Sequence, residues 1–191
     1  MSRLDLKVGF QCNNRCRFCV QGDKRLHFAD RSLEELVAAL EDARPGCDEL
    51  VLTGGEVTIR KDLFELVATA RALGYRQVQV QTNGRMLASA EFVGRLLSSG
   101  VTEVSPALHG PGPEIHDALT RVPRSFAQTV KGIRNARAVG LPVLLNSVIV
   151  QDNYRFLPEM ARLFLALDVQ QFQFAFVHAL GQTRPGPRHG P

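Results

Sequence analysis

Nothing in this sequence reads as a membrane span, a secretion signal or a disulfide framework. No stretch approaches the ~18 consecutive apolar residues that a transmembrane helix needs. The first residues, Met1-Ser2-Arg3-Leu4-Asp5, lack the pattern of a signal peptide. Only four cysteines occur, and three are bunched together, which is not how a small secreted domain is stapled. The expected compartment is therefore reducing, with cytoplasm as the default. Dense Lys/Arg blocks and basic-aromatic modules are missing too, and the formal net charge is only +4. Nucleic acid is not indicated, although an anionic partner is permitted. Apolar residues are plentiful at 45% of 191, enough for one domain with a core.

The bunched cysteines are Cys12, Cys16 and Cys19, directly after an apolar run over residues 4–10. Thiolates are soft ligands that select zinc, copper(I) or iron–sulfur clusters over magnesium or calcium. Three residues separate the first pair and two the second, so one loop can aim three sulfurs at one centre. A closed structural site takes a fourth protein ligand, whereas a site that does chemistry keeps one position open. The alternative is a zinc knuckle completed by a distant His or by Cys47. Ordinary buried thiols fit poorly with so polar a loop.

Strands are expected at residues 4–10, 49–53, 76–82, 101–108, 143–150 and 170–177. Helices are expected between them. Ser32 and Glu35 form a capping box ahead of Leu33, Leu36, Val37 and Leu40 at helical spacing. Leu63, Leu66, Val67 and Ala70 share a face before a stop at Gly74, and Phe92, Val93, Leu96 and Leu97 point inward before Gly100. A short helical piece covers 115–119. Ser125 to Gln128 reads as a second capping box, opening a helix with Phe126, Val130 and Ile133 on one side. The last helix carries Phe156, Met160, Leu163 and Leu167, with Pro158 in its first turn. Residues 27–30 read as linker.

In the third strand Val78 and Val80 alternate with Gln77, Gln79 and Gln81. A strand apolar-covered on both sides would be continuously apolar, so the glutamines predict a polar lumen face. In the sixth, Phe172, Phe174 and Phe176 alternate with Gln171, Gln173 and Ala175, which suits an edge strand. Strand–helix alternation implies parallel βαβ units. The expected fold class is α/β: a partial (β/α)6 TIM-like barrel with parallel strands, lacking a C-terminal extension, over residues 4–178. A doubly wound sheet is the alternative. Residues 179–191, rich in Pro and Gly, are expected to form a disordered tail.

In parallel α/β folds ligands sit beyond the C-terminal ends of the strands. Five polar stations fall there: the cysteine loop, Gly54-Gly55-Glu56, Thr82-Asn83-Gly84, Ser105, and Asn146 with Ser147. Paired glycines let backbone carbonyls approach closely, and with the Glu56 carboxylate they can hold an ammonium group. The alternative is a plain strand-to-helix turn with Glu56 at a helix start.

The CxxxCxxC spacing, with Phe18 before the last cysteine, resembles the signature of the radical S-adenosylmethionine (SAM) superfamily. Gly54-Gly55-Glu56 is similar to that family's Gly-Gly-Glu motif, with Val57 where the family usually has Pro. Ser105-Pro106-Ala107-Leu108-His109-Gly110, His116-Asp117 and Ser125-Phe126 are similar to the fourth repeat of its peptide- and cofactor-modifying members. The resemblance implies a [4Fe–4S] cluster on Cys12, Cys16 and Cys19, with SAM on the fourth iron. It implies that Gly54, Gly55 and Glu56 hold the SAM amine, with Thr82 and Asn83 on the same rim. Ser105 and Asn146 would approach the ribose and carboxylate, Arg121 would pair with the carboxylate, and Phe18 and Val177 would flank the adenine. For Arg121 the alternative is an exposed loop position; for Phe18 and Val177 it is plain packing.

The activity so implied is reductive cleavage of SAM to a 5′-deoxyadenosyl radical that abstracts hydrogen. The partners would be a small-molecule or peptide substrate and a reductant protein such as flavodoxin or ferredoxin. A non-catalytic iron–sulfur or zinc-binding module is the alternative. Arg15 and Arg17 are expected to offset the cluster charge or to be solvated. His27, His109, His116 and His178 are expected in surface or loop roles, and Cys47 as a structural thiol.

Overall fold

The computed structural model describes residues 2–176. Strand β1 (Ser2–Lys7) leads through the cysteine loop and a short helix α1 (Lys24–His27) to α2 (Leu33–Ala43). Then come β2 (Cys47–Thr53), α3 (Leu63–Ala72), β3 (Gln77–Thr82), α4 (Ala90–Ser99) and β4 (Glu103–Pro106). Helices α5 (Pro113–Thr120) and α6 (Ser125–Ala138), β5 (Leu144–Ile149), α7 (Leu157–Ala166) and β6 (Gln171–Phe176) complete the order. Strands β1 to β4 pair in sequence, all parallel, and β5 pairs parallel with β6. The two groups meet where Val104 bridges to Val143 and Ala107 to Asn146. Spatial order equal to chain order is a barrel's order; a doubly wound sheet would reverse at a switch point. Among the described residues β1 and β6 do not pair, so the barrel is partial.

The pleat divides the residues as β3 foretold. Val78 and Val80 are fully buried against the helices, in one core with Leu50, Leu52, Val104, Leu36 and Leu66. Each such side chain contributes ~1.5–3 kcal/mol by leaving water. The other face pairs Glu49 with Gln77, Gln79 with Glu103 and Gln81 with Ser105. This polar stripe is tied laterally, Thr53 Oγ1 donating to Gln81 Oε1 at 3.0 Å and Gln79 to Glu103.

Local signals decide most helix ends. The Ser32/Glu35 capping box is formed in full, and Gly74 (φ 94°) and Gly100 (φ 107°) end α3 and α4 in the left-handed region. The Ser125–Gln128 capping box is not formed. Ser125 is already inside α6, and the Asp117 carboxylate of α5 accepts from Arg124 N, Ser125 Oγ and Phe126 N at 2.6, 2.8 and 2.7 Å. A carboxylate is the stronger partner for a helix start, so the tertiary cap displaces the local one. Gln128 instead accepts from Arg85 Nε at 2.7 Å. Leu97 is exposed rather than inward, and part of the 27–30 linker belongs to α1. Val177, His178 and the 179–191 stretch lie outside the described residues. Among those described, no helix is long and apolar enough to cross a membrane.

Candidate active site

The cysteine loop is seated from three sides. At its start, Asp30 Oδ1 accepts from Phe10 N at 2.6 Å and Gln11 N at 3.1 Å. The segment after β2 zips onto the same stretch, Gly55 N donating to Gly9 O at 2.9 Å and Glu56 N to Gln11 O at 2.7 Å. Opposite, Arg15 N and Arg17 N donate to Thr120 O and Leu119 O at the end of α5. Beneath, Asn83 Nδ2 donates to Asn13 Oδ1 at 2.6 Å, and Arg85 Nη1 reaches Asn13 O and Asn14 Oδ1 at 2.6 and 3.0 Å. Asn14 N donates to Cys12 Sγ at 3.3 Å.

The zipper explains both glycines. A Cβ on Gly55 would collide with the carbonyl oxygens of Phe10 and Gln11, and one on Gly54 (φ 148°) would lie 2.7 Å from Gly9 O. The obstacle is backbone, which cannot swing aside. Gly55→Ala is therefore expected to destabilise the apo chain by about 1–3 kcal/mol, as overpacking does, and to lower iron uptake. Urea unfolding and iron assay check this; an unchanged midpoint would contradict it.

Cys12, Cys16 and Cys19 all face one hollow of about 460 Å³ at the strand ends. Gly54, Gly55, Glu56, Thr82 and Asn83 line it from β2 and β3. Ser105, Asn146 and Phe18 line it as well. Burial first, and the neighbouring cysteines besides, push the Cys16 thiol up to about 12. Burial likewise pushes Cys12 up to about 11. Among the described residues no three His, Cys, Asp or Glu side chains gather tightly enough for a single ion. A cubane asks less, because each sulfur binds a different iron and the three need only face a common space. Cys47, at the far end of β2, donates its Sγ–H to Ala43 O and stays structural.

Glu56 is 3% exposed, and its carboxylate is held by the chain itself. Oε1 accepts from Thr58 N at 3.0 Å, from Thr82 Oγ1 at 2.6 Å and from the Thr58 hydroxyl. Oε2 accepts from Asn83 N at 2.6 Å. Among the described residues, the buried Asn146 Oδ1 has no hydrogen-bond partner. Arg121 is not brought to the hollow: it is exposed at the C-terminal cap of α5 with φ 56°. Arg15 and Arg17 are exposed, and Arg17 pairs with Asp152 at 2.9 Å.

A surface or loop role is expected of both His109 and His116: His109 does lie in the loop between β4 and α5, but it is buried, and His116 is buried inside α5. His109 is 5% and His116 1% exposed. His109 lines the hollow, its ring edge-on to Phe18 at 4.7 Å. Its Nδ1 accepts from Val148 N, and the His109 backbone N–H donates to His116 Nδ1 at 3.0 Å. Each neutral ring accepts at Nδ1 and so carries its proton on Nε2. No local pattern announces this, because the partners are backbone N–H groups of β5 and of the loop after β4. Burial pushes His109 down to about 3 and His116 to about 4. The fold thus favours the uncharged rings. Their contribution is fully present above the ordinary value near 6.5 and is lost as pH falls from there through about 4 to about 3. Each ring adds up to ~1.4 kcal/mol per pH unit to the slope. Urea unfolding at pH 7, 6 and 5 should show that decline, and His116→Asn should flatten it by about one proton.

Comparison with known proteins adds three findings. The family model described as Radical SAM superfamily matches residues 6–164. A probable GTP 3′,8-cyclase of Saccharolobus islandicus is 31% identical over 172 residues, covering 89% of this chain and 55% of that protein. One of Sulfolobus acidocaldarius is 31% identical over 183 residues, covering 93% and 56%. The chain thus spans about half the length of these relatives. Among solved structures, Streptococcus suis SuiB bound to S-adenosylmethionine superimposes with TM-score 0.80 at 19% identity, over 98% of this chain and 43% of that one. anSMEcpe with bound AdoMet and a peptide gives 0.76 at 17%, over 92% and 51%, and both likenesses establish the fold.

Proposed function

The chain belongs to the radical SAM superfamily, and from that premise we propose that it binds a [4Fe–4S] cluster on Cys12, Cys16 and Cys19 and cleaves SAM reductively to abstract hydrogen from a substrate. The observation that carries the reading is the convergence of the three sulfurs and the Gly54-Gly55-Glu56 turn on one hollow of about 460 Å³. That size is within the ~300–1,000 Å³ usual for small-molecule sites. Bound cluster and SAM together supply a low-potential electron and a sulfonium whose cleavage leaves methionine and a 5′-deoxyadenosyl radical.

The chain's own residues bind and orient. A carboxylate has about four lone-pair sites; Oε1 of Glu56 meets three donors and Oε2 only one, so Oε2 keeps room for the SAM ammonium. Thr82 and Asn83 act through Glu56, holding its carboxylate in place. Asn146 Oδ1 offers its free acceptor to a ribose hydroxyl, with Ser105 beside it on the same rim. Phe18, 8% exposed, stands against His109 as a flat wall for the adenine. The substrate is a small molecule or peptide, and the cyclase relatives, named for GTP, favour a purine nucleotide. The electron donor is a flavodoxin or ferredoxin, and the compartment the cytoplasm. The test is anaerobic reconstitution followed by dithionite and SAM, with 5′-deoxyadenosine as readout. No product, with cluster and bound SAM both verified, would reject the proposal.

A further inference from the structure

The cysteines also line a second hollow, of about 50 Å³, beside the first. Gly54 and Gly55 are common to both, and Phe10, Arg15 and Arg25 belong to the small one alone. It is far smaller than the strand-end hollow and too small for a nucleotide. Around it the surface is basic. Residues 12–31 contain five Lys/Arg against two Asp. One of the five, Arg17, is offset by Asp152. Between the cations stand Leu26, 73% exposed, and Phe28, 56% exposed, the latter touching Phe10 of the small hollow. Exposed apolar side chains ringed by one sign of charge mark a face for a protein of the opposite sign.

We infer that this face, centred on Lys24, Leu26 and Phe28, docks an acidic electron-carrier protein that feeds the cysteine-bound centre. The inference rests on the reading of the site proposed above. The docked carrier, a reduced flavin or iron–sulfur protein, is oxidised by one electron, and the centre on the cysteine loop is reduced by one. Lys24, Leu26 and Phe28 do not line the strand-end hollow, so the docked carrier leaves that hollow to SAM.

The test uses the reconstituted protein and a reduced acidic flavodoxin. Lys24→Glu/Leu26→Glu is expected to weaken flavodoxin binding about tenfold or more at low ionic strength, and to slow flavodoxin-driven 5′-deoxyadenosine formation to match. Its dithionite-driven rate stays that of the parent. Parent binding weakens as salt is raised. Lys131→Glu, an exposed reversal on α6, should leave both untouched. Equal flavodoxin binding by parent and double variant, or equal loss in the Lys131 control, overturns the inference. So does a change confined to the chain's own sedimentation, which would assign the face to a second copy. Failure of the dithionite arm in the parent would instead reject the proposed function.

Discussion

Replacing Cys16 with alanine is expected to bring iron retained after reconstitution to background and to cut 5′-deoxyadenosine formation more than ~100-fold. Loss of even an outer partner of a metal ligand costs about 10–100-fold in affinity, and Cys16 is proposed as a direct ligand. The fold should survive. The side chain is half-buried in a loop, so its removal costs about 1 kcal/mol or less in the apo chain. The apo variant and parent should therefore unfold at nearly the same urea concentration while differing wholly in iron. The thiols add a second signature. With Cys12 pushed up to about 11 and Cys16 to about 12, both are protonated in the apo chain at neutral pH. Ligation must expel those protons, so loading tightens as pH rises from 6.5 to 8.5, and calorimetry in buffers of different ionisation enthalpy should record their release. Full iron retention by Cys16→Ala would remove the cysteine loop from the site.

What the sequence discloses and what it hides divide by range. The cysteine loop, the Gly-Gly-Glu turn, Thr82-Asn83, Ser105 and Asn146 were legible because each is local and each falls at a strand end, where a parallel α/β fold collects its stations. The lumen stripe was legible from the glutamines of β3 because pleat alternation is local too. The supports of the loop were not. Asp30 fastening Phe10 and Gln11 and Arg85 reaching Asn13 and Asn14 join segments distant in sequence, Asp117 caps α6 from the neighbouring helix, and no spacing rule marks them. The burial of His109 in its loop was hidden for the same reason, being decided by β5 and by the Phe18 ring. The glycine pair was read as baring carbonyls for a ligand. Its Cβ directions face the backbone of residues 9–11, a constraint that exists only once two loops have met.

Glu56 is where holding the fold and holding the ligand separate most sharply. Glu56→Ala removes the acceptor of Thr58 N, Asn83 N and two threonine hydroxyls at once. The hydroxyls can rotate toward other partners; the two backbone N–H groups cannot, and each stranded donor costs about 1–3 kcal/mol. The expected destabilisation is about 3–5 kcal/mol, a large part of the total stability of a domain this size. Glu56→Gln is milder. Its oxygen can serve the three donors now on Oε1, while its amide nitrogen then faces Asn83 N, donor against donor, for about 1–3 kcal/mol. That variant should fold at room temperature and still bind iron. It lacks the negative charge opposite the SAM ammonium, and a hydrogen bond to a charged group is worth ~1.5–3 kcal/mol. SAM affinity, measured by titration of the loaded protein, should therefore fall roughly 10–100-fold, since each 1.4 kcal/mol is tenfold. A Glu56→Gln protein that is folded, iron-loaded and binds SAM as the parent does would leave the carboxylate a purely structural role.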